Sequence, residues 1–138
     1  MSQNNPAVYG KAIQYQLKSI VGTGVPVYAT FNREFDKQPK FITWQLRNVH
    51  QPVYTGVNQN NKGIDRPVFQ INVFAQDMND AFNISNTILQ SLHGYNGQFG
   101  GSSGFYIAKA DVVWLYNTYD DTVKLNHIIM DCTLDIPT

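Results

Sequence analysis

The fold is decided by the stretch Pro67-Val-Phe-Gln-Ile-Asn-Val-Phe-Ala75-Gln-Asp-Met-Asn-Asp-Ala-Phe-Asn-Ile-Ser-Asn-Thr-Ile-Leu-Gln-Ser-Leu92-His-Gly94. Its hydrophobic period changes from two to about 3.6 at Gln76-Asp77, which predicts a strand that leads directly into an amphipathic helix. The alternation of the strand places Gln70 and Asn72 on the face opposite to its apolar residues. A sheet with amides on one face is either solvated there or packed against a polar partner. The stretch carries no catalytic group, so it directs attention to assembly.

The helix in this stretch is predicted over residues 78–92. Its apolar residues share one arc of about 160°, and Asn79, Asn83, Asn86 and Gln90 line the other side. The arc is expected to be core and consists of Met78, Ala81, Phe82, Ile84, Ile88, Leu89 and Leu92. Asp77 is placed to cap the start, and Gly94 stands where a left-handed terminator is expected.

A second strand, Phe41-Ile-Thr-Trp-Gln-Leu-Arg-Asn-Val49, alternates in the same way. Ile42, Trp44 and Leu46 are expected to point inward, and Thr43 points outward with two further residues. These are Gln45 and Arg47, which pairing of the two strands would bring beside Gln70 and Asn72. Both strands therefore agree on which side of the sheet is polar.

A first helix is predicted from a cap at Asn4 or Asn5, with Pro6 in its first turn, to about Ile20. Its main stripe consists of Tyr9, Ile13, Leu17 and Ile20. Val8 and Tyr15 form a second, smaller apolar patch, which is either ordinary surface or a contact with a neighbouring subunit. The short extended piece Val25-Pro-Val-Tyr28 follows, and its proline favours the edge of a sheet.

The other segments are loops and a closing hairpin. Residues 54–66 form a long connection, either a solvated loop or a binding loop, whose amide-rich part is Asn58, Gln59, Asn60, Asn61 and Lys62. The glycine-rich residues 94–104 are not a phosphate-binding loop, because they lack its Gly-Lys ending and no helix follows, so they are interpreted as a flexible connector. Residues 105–116 and 124–136 predict a last hairpin turned at 119–122, with Cys132 on its buried face.

Composition predicts one domain over residues 1–138. Ten basic and ten acidic side chains cancel, so nucleic acid is not expected to be the main partner. Only 14% of residues are charged, and 14 Asn and 11 Gln take their place, which is typical either of a plain polar surface or of a self-associating protein. The single cysteine excludes an internal disulfide. Neither a signal peptide nor a membrane span is predicted.

The sequence contains few features that indicate catalysis or metal binding. His50, His93 and His127 are not at metal-ligand spacing, and no nucleophile-elbow, zinc-protease or Cys-x-x-Cys motif is present. We therefore predict no catalytic residue, no cofactor and no metal site. A protein that is not an enzyme is the expectation, and a small soluble enzyme or ligand-binding domain with a cleft beside residues 94–104 remains an alternative.

The predicted order of elements gives an α+β fold: an antiparallel sheet of about four to five strands with two helices packed on one face. Phe69-Gln-Ile-Asn-Val-Phe-Ala75 and the helix after it resemble the hallmark segment of phage tail terminator (tail completion) proteins. Pro39-Lys-Phe-Ile-Thr-Trp44 and Met130-Asp-Cys-Thr-Leu134 are similar to the preceding and closing strands of that family, and Val25-Pro-Val-Tyr28 to its first short strand. The resemblance covers most of the chain.

The resemblance implies a structural virion protein of the phage tail. Such a protein forms a ring with copies of itself, usually a hexamer, that caps the head-proximal end of the tail tube. The ring joins the tail to the neck or connector and to portal-associated protein, while DNA passes through its lumen without specific binding. Assembly in the host cytoplasm is implied, and no membrane partner is. A head-closure or neck adaptor of the same head-tail junction is the alternative.

Candidate contact residues follow from this expectation. The expected subunit interface comprises Gln45, Arg47, Gln70 and Asn72 on the sheet, with Val8 and Tyr15 on the first helix. The expected contact with tube or connector is the loop of Asn58, Gln59, Asn60, Asn61 and Lys62.

Overall fold

The computed structural model describes residues 6–30, 38–54 and 63–137. The elements, in chain order, are α1 (Pro6–Val21), β1 (Val27–Ala29), β2 (Lys40–Tyr54), β3 (Gly63–Ala75), α2 (Met78–Leu92), β4 (Gly97–Phe99), β5 (Phe105–Ile107), β6 (Lys109–Asp120) and β7 (Leu125–Pro137). The described residues form a five-stranded sheet in the order β1-β2-β3-β7-β6 and a separate two-stranded sheet of β4 and β5. The predicted α+β class is confirmed.

The main sheet is mixed, where the sequence predicted an antiparallel one. β1 runs parallel to β2, with Val27 opposite Ile42, while the other neighbouring strands are antiparallel. Parallel neighbours need a longer connection than a hairpin, and residues 30–39 separate these two strands. The predicted edge position of β1 is correct.

One hydrophobic cluster joins the two helices to the sheet. In β3 and β7 the alternation puts Phe69 opposite Cys132 and Ile71 opposite Met130, and all four side chains are fully buried. The same cluster contains the buried apolar residues of α1 and α2. The placement of both helices on a single face of the sheet stays a prediction.

Helix α2 begins and ends at the predicted residues. The Asp77 side chain accepts a hydrogen bond from the backbone N–H of Asn79 at 3.1 Å, and Gly94 has the predicted positive φ of 80°. The predicted core arc is wrong at its N-terminal margin, where Met78 and Phe82 are exposed. The apolar arc is wider than the face that the sheet covers, and the Phe82 ring instead lies 5.8 Å from the Trp114 ring.

Helix α1 matches its predicted stripe, since Tyr9, Ile13 and Leu17 are fully buried and Ile20 is half-buried. Its predicted caps, Asn4 and Asn5, lie outside the described residues. The Tyr9 hydroxyl donates to Asp65 Oδ2, and both side chains are buried. Burial, together with the neighbouring carboxylate, raises the pKa of Tyr9 well above its usual range. The pair therefore joins α1 to β3 through a buried polar contact.

The glycine-rich segment is structured, in contrast to the flexible connector that the sequence predicted. Gln98 pairs with Tyr106 in the β4–β5 hairpin. The loop rests on α1, where the Gly100 backbone N–H donates to Gln16 Oε1 at 3.0 Å. Gly100 has a φ of 85°, and a Cβ placed there would lie 2.6 Å from the Cβ of Ala12. Close approach of two backbones requires the glycine, and composition alone does not distinguish this from flexibility.

Both long hairpins differ in extent from their predicted bounds. The ladder of β2 and β3 continues to Tyr54 opposite Gly63, so residues 63–66 of the predicted loop are strand. The final hairpin breaks at Ala108 and turns over residues 121–124, where Lys124 has a φ of 61°. The alternation of a strand does not indicate where its ladder stops, because backbone hydrogen bonds can extend a ladder whatever the side chains are.

Candidate subunit interface

Three of the predicted interface residues come together on the polar face of the sheet. Gln45 on β2 lies directly opposite Gln70 on β3. The Gln70 side-chain amide donates to Asn72 Oδ1 at 3.0 Å, and a ring nitrogen of His127 lies 2.9 Å from the same oxygen. Asn72 is only 6% exposed, whereas Gln45 is exposed. The Asn72 side chain therefore fixes the positions of Gln70 and His127. The amides available for contact with another chain are those of Gln45 and Gln70.

The fourth residue, Arg47, lies at a β-bulge and crosses the sheet. Pairing of β2 with β3 skips it between Leu46 and Asn48. Its guanidinium donates to Asp131 Oδ2 on β7 at 2.5 Å, with the arginine side chain 44% exposed. The other oxygen, Asp131 Oδ1, is buried and has no hydrogen-bond partner among the described residues. The predicted cation is thus paired within the chain, and an exposed pair of this kind stabilises by about 0–1 kcal/mol.

The polar face also contains a short aromatic stack. The rings of Phe41 and Phe74 lie 4.9 Å apart, and those of Phe74 and His127 lie 4.2 Å apart. Burial lowers the pKa of His127, while the carboxylate of Asp120 acts in the opposite direction. The neutral imidazole is therefore the form that this surface favours.

The predicted residues on α1 lie apart from this set. Val8 is half-buried and packs against the hydrophobic core, so little of it faces solvent. Tyr15 is 56% exposed, and its ring covers the backbone at Gly101. The predicted contact loop, Asn58 to Lys62, lies outside the described residues.

Sequence reasoning missed the surface on β6. This strand ends the five-stranded order, and its exposed apolar residues are Val113, Leu115, Tyr116 and Tyr119. The run Val112-Val-Trp-Leu-Tyr116 is apolar at successive positions, which is typical of a strand covered on both faces. This apolar run is the sequence feature that could have indicated the surface. Only the strand order shows that no strand of the described chain covers the outer edge of β6.

The start of this edge is covered by the segment after α2. Gly94 N–H donates to the Ala110 carbonyl at 2.8 Å, and Ala110 N–H donates to the Tyr95 carbonyl at 2.9 Å. Val112 N–H donates to His93 Nδ1 at 3.0 Å. A groove follows along β6, lined by Leu89, Gln90, His93, Asp111, Val112, Val113 and Trp114. Edge strands of natural proteins are normally covered or charged, and an apolar one is a site for pairing.

No group of three or more His, Cys, Asp or Glu side chains that could hold a metal ion occurs in the described part of the chain. His93 Nδ1 lies 3.5 Å from Asp111 Oδ1, with about half of each side chain exposed, 55% and 50%. Cys132 is buried as predicted, and burial raises the pKa of its thiol to about 12. Neither helix between residues 6 and 137 is long and apolar enough to span a membrane.

Comparison with known proteins shows a shared fold. No protein-family model and no curated protein matches the sequence. A chain of the virion of a native gene transfer agent particle is 12% identical and superposes with a TM-score of 0.64, over 99% of this chain and 100% of its own. A second solved chain is 16% identical with a TM-score of 0.63, over 100% of this chain and 97% of its own.

A third structure is the PVC sheath/tube terminator of an extracellular contractile injection system in its extended state, 11% identical with a TM-score of 0.53. It is matched by 100% of this chain, which spans 58% of the length of that protein. At these identities the likeness is one of fold. The fold of the chain is thus that of a virion component and a sheath/tube terminator, consistent with the phage tail terminator family that the sequence resembles.

Proposed function

We propose that this chain is a structural protein of a tailed virion that caps the head-proximal end of the tail tube as a ring and joins the tail to the neck. The observation that carries the proposal is the fold match over the whole length of both chains to a virion component, with a second match to a sheath/tube terminator. The location that follows is the tail, and the partners are copies of the chain, the tube protein and the neck or connector.

The arrangement of side chains on the polar face of the sheet supports a role for this face in subunit contact rather than in exposure to solvent. Gln70 is held by an intramolecular network that includes Asn72 and His127, and Gln45 lies directly opposite Gln70 on the neighbouring strand. Ordered side chains lose less rotamer freedom on binding, and uncharged amides pair with amides of another copy without repulsion. We assign Gln45, Arg47, Gln70 and Asn72 to the subunit contact. Asn58, Gln59, Asn60, Asn61 and Lys62 are assigned to contact with tube or connector.

The experiment is a capping assay with purified protein and polymerising tail tube protein. Tube length and end occupancy are measured by electron microscopy with and without the chain. A terminator shortens the length distribution and adds density at one end only. Unchanged tube lengths with bare ends would contradict the proposal.

A parallel pull-down separates the tube end from the neck. Binding to portal-associated protein without binding to tube identifies a head-closure or neck adaptor instead. Gln45→Lys with Gln70→Lys tests the assigned face, since like charges meeting at the contact repel. The matched control is Gln98→Lys, an exposed glutamine on β4 outside this face. A ring that tolerates the paired change as well as the control would move the subunit contact elsewhere.

A further inference from the structure

The charges of this neutral chain are divided between two parts of the fold. Residues 6–30 carry Lys11 and Lys18 and no acidic residue, whereas residues 76–108 carry Asp77 and Asp80 and no Lys or Arg. α1 contacts β1, β2 and β4, α2 contacts β3, β7 and β6, and the two helices also contact each other. A basic helix and an acidic helix thus belong to opposite ends of the strand order.

The basic helix presents a defined stripe. Lys11, Tyr15 and Lys18 are spaced i, i+4 and i+7, so they lie on one face of α1. All three are exposed, and within the described chain neither lysine forms an ion pair. The stripe is an aromatic ring between two unpaired cations, which is a composition suited to an apolar site with negative charge beside it.

The groove on β6 offers such a site. Its apolar walls are Leu89, Val113 and Trp114, and Asp111 stands beside them with half of its side chain exposed. The last turn of α2 contains no basic residue, so the partial negative charge of the helix C-terminus adds to that of Asp111. His93 Nδ1 accepts the Val112 N–H at 3.0 Å and lies 3.5 Å from Asp111 Oδ1, so the imidazole lies at the same edge of the groove as the carboxylate.

We propose that this groove binds the Lys11–Tyr15–Lys18 stripe of a second copy of the chain. The Tyr15 ring packs at the outer edge of β6 beside Val113, and a flanking lysine approaches Asp111 and the carbonyl end of α2. Stripe and groove are different surfaces, so the contact is heterologous, and copies joined by it form a ring when the rotation between neighbouring subunits closes. This contact is separate from the one assigned above to Gln45, Arg47, Gln70 and Asn72, and the biological role of the ring rests on the proposed function.

Disulfide trapping tests the contact directly. Tyr15→Cys and Val113→Cys are made as separate proteins, and both positions are exposed, 56% and 49%. Mild oxidation of the mixture is expected to give a disulfide-linked heterodimer at least about tenfold more abundant than the homodimer of either variant alone. A chain carrying both cysteines is expected to give a ladder that ends at the closed ring. The native Cys132 thiol is buried and does not compete.

Tyr106→Cys is the matched control, since Tyr106 is equally exposed at 56% but lies on β5, outside both surfaces. Charge reversal gives an independent readout. Asp111→Lys and the pair Lys11→Glu with Lys18→Glu should each weaken self-association about tenfold or more, and mixing the two variants should restore it. Native mass spectrometry and sedimentation measure both effects.

The proposal is overturned if the mixture cross-links no better than the Tyr106→Cys control, or if the chain stays monomeric at the highest soluble concentration. It is also overturned if Val113→Cys cross-links to tube protein in place of Tyr15→Cys. Failure of the proposed function gives a different result. If the chain caps tail tubes but the disulfide does not form, only this contact is refuted. If the disulfide-linked ring forms but leaves the tubes uncapped, only the role in the tail is refuted.

Discussion

Gly100→Ala tests whether the β4–β5 loop is fixed to α1 as the structure describes. The new Cβ would lie 2.6 Å from the Ala12 Cβ and 2.7 Å from the Ala12 Cα, in a backbone with a φ of 85°. The left-handed conformation costs a non-glycine residue about 1–2 kcal/mol. Overpacking costs about 1–3 kcal/mol more, because the contact is with a helix backbone that cannot move aside. The expected loss of about 2–5 kcal/mol is large beside a total stability of about 5–15 kcal/mol.

The chain offers a control that separates these two costs. Gly94 has a φ of 80°, and a Cβ added to it would meet nothing within 4 Å, so Gly94→Ala carries the conformational cost alone. In thermal unfolding we expect Tm to fall by about 4–8 °C for Gly94→Ala and by about 8–20 °C for Gly100→Ala. Hydrogen exchange at the Gly100 amide, which is bonded to Gln16, reports whether the loop alone detaches. Equal losses of Tm with unchanged exchange would refute the close approach.

Three further outcomes are expected. Asp77→Ala removes the cap of α2 and should lower the free energy of unfolding by about 0.5–2 kcal/mol, as measured by denaturant titration. Asp121→Ala in the exposed turn is the control, and equal effects of the two changes would contradict the cap. The pKa of His127 is lowered in the folded chain, so its contribution to stability is present above the unfolded pKa of about 6.5 and is lost as pH falls through the folded pKa. His127→Gln should flatten that acid limb of the stability curve, and an unchanged limb would assign it to other groups. Cys132, whose thiol pKa is raised to about 12, should react with a thiol reagent only at the rate of unfolding, and rapid labelling of the native protein would contradict its burial.

The sequence predicted the elements whose pattern is set by burial. Helix α2 was located to the residue, because a cap, a 3.6-residue period and a terminating glycine all agree there. The residues of β3 and β7 that face the core were likewise predicted, because alternation assigns them to one face. It did not predict that Phe41, Thr43 and Asn72 on the other face are buried as well. The parallel direction of β1 was not predicted either, because alternation carries no information on strand direction.

The candidate site was only partly predictable, for a related reason. Alternation identified Gln45, Gln70 and Asn72 as sharing a face, but it did not show that Asn72 is nearly buried or that Arg47 is paired with Asp131. Those properties depend on contacts between residues far apart in the sequence. The exposed side of β6 depends on strand order, which pattern does not specify.

The register of the two long hairpins gives the subunit two unlike ends. β2 leaves the described sheet at Tyr54 and β3 enters at Gly63 at one end, whereas β6 and β7 turn at Asp120 and Leu125 at the other, beside Lys40 and Ala75. Copies arranged around an axis along the strands would repeat one hairpin tip around the upper rim and the other around the lower rim. Such an object has a direction. One rim can contact a growing polymer, and the other rim can contact a different neighbour. Because the two rims already differ in structure, no change of conformation is needed to distinguish them.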